Sequence, residues 1–156
     1  MRTPHLLRVA EGPESFAALF SAARDLGLRL GWLELYAPGS EGVGAGLGLP
    51  QSLEAAAGEG ALRAVSVGAG RMIAVKPMKG APVLRDLLRE HFRGTALVLV
   101  CGEVEAPRLV REGQMFRVAS AGRILSFDAA RLAAALRKPR PWGDEVEAGG
   151  EPAAAL

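Results

Sequence analysis

From Ala96 to Cys101 the chain reads Ala-Leu-Val-Leu-Val-Cys, an apolar run without a charge or a hydroxyl. Successive side chains of a strand point to opposite faces, so a run apolar at every position predicts a strand buried on both faces at the centre of a sheet. Such a strand needs cover above and below. The residues before it supply a first candidate. Gly80 and Pro82 mark a helix start, Gly94 marks its stop, and Leu84, Leu87, Leu88 and Phe92 form one apolar face. With a strand over 71–75, residues 71–101 read strand, turn, helix, strand.

The N-terminal part repeats that pattern. His5–Ala10 reads as a strand. Pro13 suits the first position of a helix whose Phe16, Leu19, Phe20 and Ala23 share a face, Gly27 closes it, and Leu28–Tyr36 follows as a strand. Seven of the 24 residues from 37 to 60 are glycine, which predicts a flexible loop with a short helical turn near 51–57. Gly42, Gly44, Gly46 and Gly48 alternate, which is not the spacing of a dinucleotide-binding loop. Residues 61–67 and 71–75 predict a hairpin around Gly68-Ala69-Gly70. A second hairpin is expected over Glu112-Gly113, then a strand at 123–126 and a last helix capped by Ser126 or Asp128, with Leu132 and Leu136 on its apolar face.

These elements predict an α+β protein. The order β-α-β, then β-α-β, is that of a ferredoxin-like βαββαβ sandwich, extended here by a C-terminal β-hairpin and helix. One domain is expected over residues 1–142. Residues 143–156, rich in Asp, Glu, Gly, Ala and Pro, predict a disordered acidic tail.

The chain is 156 residues long, enough for one sizeable core. No run of 18 apolar residues occurs, and the first residues lack a signal-peptide core, so a cytoplasmic protein without membrane contact is expected. Cys101 is the single cysteine, which excludes an intramolecular disulfide and a multi-cysteine metal site. Asparagine is absent and arginine outnumbers lysine 16 to 3, a bias that fits a thermophile or a GC-rich genome.

Charge is segregated along the chain. Residues 1–60 carry a net −3, residues 61–142 a net +9 from 15 basic and 6 acidic groups, and residues 143–156 a net −4. The basic stretch points to an anionic partner, nucleic acid or a phosphate-bearing ligand. Its sharpest local candidates are Lys76, Lys79 and Gly80, in the turn before the central helix, where free N–H groups and the helix dipole favour an anion. Arg85, Arg89 and Arg93 follow at i, i+4 and i+8, a stripe suited to tracking phosphates, with Asp86 and Glu90 beside it. Aromatic residues do not interleave with these arginines, which argues against base stacking.

Catalytic signals are weak. His5 and His91 are isolated, with His91 expected near the apolar face of the central helix. Glu103 and Glu105 share a face only if the central strand continues, and no nucleophile–base constellation or P-loop spacing is present. No catalytic residue, metal or cofactor is therefore assigned.

Residues 6–39, from Leu-Leu-Arg-Val-Ala-Glu-Gly-Pro through Trp-Leu-Glu-Leu-Tyr-Ala-Pro-Gly, resemble the opening of the PPC domain family: strand, Gly turn, helix, second strand, Gly-rich loop. Arg108-Leu-Val-Arg-Glu-Gly-Gln-Met-Phe is similar to that family's later His-Leu-x-x-Gly strand. The resemblance implies a trimer, as in bacterial and archaeal members, and a link to DNA, as in plant relatives that carry AT-hooks. The family's metal-binding His-x-His is missing, and neither His5 nor His91 replaces it. Met72-Ile-Ala-Val-Lys-Pro-Met-Lys resembles the first strand of PII-type signalling proteins, which implies a ferredoxin-like fold and again a trimer.

The expectation is thus a non-enzymatic binding or regulatory module, self-associating as a homo-oligomer, that holds an anionic partner through its basic half. Two alternatives stand beside it: a small-molecule enzyme or sensor with a lid over 37–49, and a structural subunit whose exposed strands serve oligomerisation.

Overall fold

The computed structural model describes residues 2–35, 51–76, 78 and 80–143. The loop expected over 37–49 and the acidic tail beyond Gly143 lie outside these residues, as does Lys79. The chain divides into two compact units, one of residues 1–35 with 85–156 and one of residues 36–84.

The first unit is built on a six-stranded sheet. Its strands are β1 (His5–Val9), β2 (Leu30–Glu34), β5 (Leu97–Cys101), β6 (Arg108–Glu112), β7 (Met115–Ser120) and β8 (Arg123–Asp128), in the spatial order β2-β5-β1-β6-β7-β8. Strand β5 pairs in parallel with β1 on one side and β2 on the other, and β1 makes a single parallel bridge to β6 between Arg8 and Arg108. From β6 onward the sheet is an antiparallel meander. The expected central strand is confirmed: Leu97, Val98, Leu99 and Val100 are each fully buried.

Alternation along the strands divides their side chains between two faces. Leu7, Val9, Leu97, Leu99, Leu109, Phe116 and Val118 line one of them. That face is covered by a 3₁₀ turn (Pro13–Phe16), by helix α1 (Ala17–Asp25) and by the C-terminal helix α4 (Ala129–Ala135). Phe16, Leu19 and Ala23 from the N-terminal segment meet Leu132, Ala133 and Leu136 there. The opposite face carries Val98 and Val100, with Gly31 of β2 in register with Val98. Helix α3 (Leu84–His91) runs into Phe92, whose ring closes directly over Gly31.

Local turn chemistry explains the meander. Ala121 and Gly122 both have positive φ, 49° and 74°, giving the two-residue turn whose twist suits a hairpin. Asp128 caps α4, its carboxylate accepting from the Arg131 N–H at 2.8 Å, and the strand before it runs to Asp128 rather than ending at Ser126.

The second unit contains helix α2 (Gln51–Gly58) and the hairpin β3 (Ala64–Gly68) and β4 (Arg71–Val75), in register from Ala64–Val75 to Gly68–Arg71. Val65, Val67, Met72 and Ile73 on this hairpin are exposed.

The α+β class is as expected. The pairing of the strands departs from a ferredoxin-like sandwich, however. There the inner hairpin would join the main sheet, whereas β3 and β4 pair only with each other and β1, β2 and β5 lie parallel. Among the described residues no helix is long and apolar enough to cross a membrane.

Candidate anion-binding cleft

Helix α3 is short and strongly amphipathic, with Leu88 buried and Leu84 and Leu87 partly so. Docking that stripe holds the remaining faces of the helix toward solvent, which is why Arg85 and Arg89, and Arg93 just beyond the helix, are all exposed. One step of four residues along a helix rises about 6 Å, so the three arginines form a row rather than a cluster.

The row lines a cleft of about 580 Å³. Its walls are Arg85, Arg89 and Arg93, its apolar lining is Leu88 and Phe92, and the N-terminal residues Arg2, Thr3 and Pro4 complete it. Four arginines thus line one opening, together with the apolar Leu88 and Phe92. Two of them are oriented from within: Arg89 donates to the Asp86 carboxylate at 3.0 Å, and the Arg93 Nε–H donates to the Arg89 carbonyl at 3.0 Å, capping the helix end. Arg2 reaches the Arg137 carbonyl at 3.4 Å. Arg85 has no hydrogen-bond or ion-pair partner among the described residues.

The structure therefore brings Arg85, Arg89 and Arg93 together and adds Arg2, which carries no sequence signal because nothing in its local pattern links it to a helix some 80 residues away. Lys76 and Gly80 belong to the second unit, Gly80 with a positive φ of 71°, and Lys79 is outside the described residues.

Other candidates resolve differently. His91 is exposed rather than tucked against the apolar face, its ring 3.8 Å from Glu90. Strand β5 ends at Cys101, so Glu103 and Glu105 lie in the connection to β6 and are not a strand-borne acid–base pair. Burial, and then the negative charge of Glu34, push the Cys101 thiol upward, which keeps it protonated and a poor nucleophile. His5 is tied into the fold: its Nε2 lies 3.2 Å from the Leu136 carbonyl oxygen and 3.1 Å from that of Lys138, and its ring meets Trp142 edge-on at 6.1 Å. Burial lowers its pKa, against the opposing effect of the Leu136 hydrogen bond. Among the described residues no group of three acidic, histidine or cysteine side chains is placed to hold a metal.

No protein-family model and no curated protein matches the chain. The resemblances to the PPC and PII-type families thus gain no support from comparison.

Proposed function

We propose that this protein is a non-enzymatic binding or regulatory module that holds a polyanion, with the phosphate backbone of nucleic acid as the best fit, in the arginine-lined cleft beside α3. The observation that carries the proposal is the convergence of Arg2, Arg85, Arg89 and Arg93 on one opening, against Asp86 as the one carboxylate paired to any of them among the described residues. A row of cations spread over about two helical turns suits a chain of phosphates better than a single one. Backbone contacts of this kind position a strand without reading its bases.

The test is binding of the intact protein to labelled single- and double-stranded nucleic acid across a salt series. Affinity falling steeply as salt rises supports the proposal. Absence of binding at low salt rejects it, and demotes the arginines to a solvated helix face.

A second reading, self-association, is favoured by the β3–β4 hairpin. Its register puts Val65, Val67 and Met72 on one face, and all three are exposed. An isolated two-stranded hairpin is marginal in water, so a second copy covering that face would stabilise it. Light scattering separates the outcomes: an oligomer that Val67→Lys with Met72→Lys dissolves, or a monomer at all concentrations, which excludes it.

A further inference from the structure

Arg8 and Arg108 are direct neighbours across β1 and β6, the residues of the one bridge that joins the parallel and antiparallel halves of the sheet. Residues paired in register share a face. The row that contains them continues through Val100, fully buried, on one side and Ala119 on the other. Two arginine side chains therefore leave the sheet from neighbouring positions on one face, with the Arg117–Glu112 ion pair further along it. Like charges directly opposite each other on a sheet repel. Neither has a hydrogen-bond or ion-pair partner among the described residues.

The same pair lines a cavity of about 360 Å³ with Val9, Cys101, Gly102 and Glu103. Its place in the fold is specific. Residues 102–107 carry the chain from β5, on one side of β1, to β6 on the other, so the cavity opens at the carboxyl ends of β1 and β5 where the connection crosses. Crevices at the carboxyl ends of parallel strands, where the chain changes sides, are where such sheets take ligands. Gly102 has φ 144°, and a Cβ there would stand 2.7 Å from the Leu35 carbonyl oxygen, so the backbone at this edge is held close by its neighbour. Glu103 is the single carboxylate in the lining, which leaves one net positive charge for the two arginines.

We infer that this cavity is a second anion site, distinct from the cleft beside α3, and that it takes the terminal phosphate of a small phosphate monoester. A monoester carries close to two negative charges near neutral pH, and arginine pairs bind phosphate oxygens through paired N–H donors. The dianion replaces the repulsion between the two guanidinium groups with two attractive contacts. A cavity of this size suits a small metabolite. Glu103 is placed to accept from a hydroxyl on the organic part.

The experiment is titration of the full-length protein, by calorimetry and amide NMR, with inorganic phosphate, glycerol phosphate and, as a monoanion of similar bulk, acetate. Expected are saturable binding of both phosphates with the monoester tighter, shifts centred on Gly102 and Glu103, and no effect of acetate. Arg8→Gln and Arg108→Gln should each weaken monoester binding by about tenfold or more, as loss of a charged hydrogen-bond partner does. Arg108→Lys, which keeps the charge but loses the fork, should fall between. Arg89→Gln, in the other cleft, should leave it unchanged. Inorganic phosphate binding as tightly as the monoester would overturn the assignment to a monoester. Phosphate-insensitive amides at Gly102, or equal losses from Arg89→Gln and Arg108→Gln, would overturn the site itself.

Discussion

The ring of Phe92 lies so close over Gly31 that a Cβ on residue 31 would stand 2.5 Å from its Cδ1 and 2.6 Å from its Cε1. Phe92 also lines the arginine cleft, so this contact couples the packing of the sheet to the position of the cationic row. Gly31→Ala should cost about 1–3 kcal/mol in denaturant unfolding, the usual range for overpacking. Adding Phe92→Ala should recover part of the loss, because the two changes share one contact and are not additive. Simple additivity would mean that the ring moves aside freely.

Phe116 is fully buried between the sheet and the two helices, stacked on Phe16 with ring centroids 6.4 Å apart. Phe116→Ala should lower stability by about 3–5 kcal/mol, the combined result of lost burial and the cavity left behind. The measurement is the shift of the urea midpoint with the slope unchanged.

Asp128 ends β8 and caps α4 in one step, so the cap also fixes where strand becomes helix. Asp128→Ala should cost about 1 kcal/mol, and Asp128→Asn, which keeps the acceptor oxygen, only a fraction of that. Thermal unfolding of the two variants side by side checks the order.

His5 sets a pH dependence. Its folded pKa is depressed by burial, so the unfolded chain binds the proton more readily than the folded one. The stability it contributes is fully present above the ordinary histidine value of about 6.5 and is lost as pH falls through the lowered folded value. Wild type should therefore lose stability relative to His5→Gln on going from about pH 7 to about pH 5. Trp142, edge-on to the His5 ring and 6.4 Å from the ring of Phe127, gives a local fluorescence signal for the same event. Parallel stability profiles for the two proteins would contradict this account of His5.

The strands and helices were legible because their signals are local. The run Ala96–Cys101 reads as a central strand from its own composition, and the leucines with Phe92 define the docked stripe of α3. What was not legible is pairing at a distance. Nothing near β5 tells whether its neighbours run parallel, and the Ala69-Gly70 turn specifies the β3–β4 hairpin without saying which sheet it joins. The same limit governs the sites. Arg85, Arg89 and Arg93 announce themselves by spacing, whereas Arg2 joins them, and Arg8 meets Arg108, only through folding. Net charge located the basic half of the chain but not the two places where its arginines meet Arg2 and Arg8 of the acidic N-terminal part.

The most direct test of the arginine cleft is the salt slope of nucleic-acid binding in single substitutions. Wild type, Arg85→Gln and Arg89→Gln would be titrated with one labelled strand over a range of salt concentrations. The account predicts that each substitution weakens binding without regard to sequence and lowers the slope of log K against log salt by about 0.7–0.9, the loss of one phosphate contact. Unchanged slopes in both variants, with wild-type affinity, would show that the anion binds elsewhere and that the cleft is a solvated face.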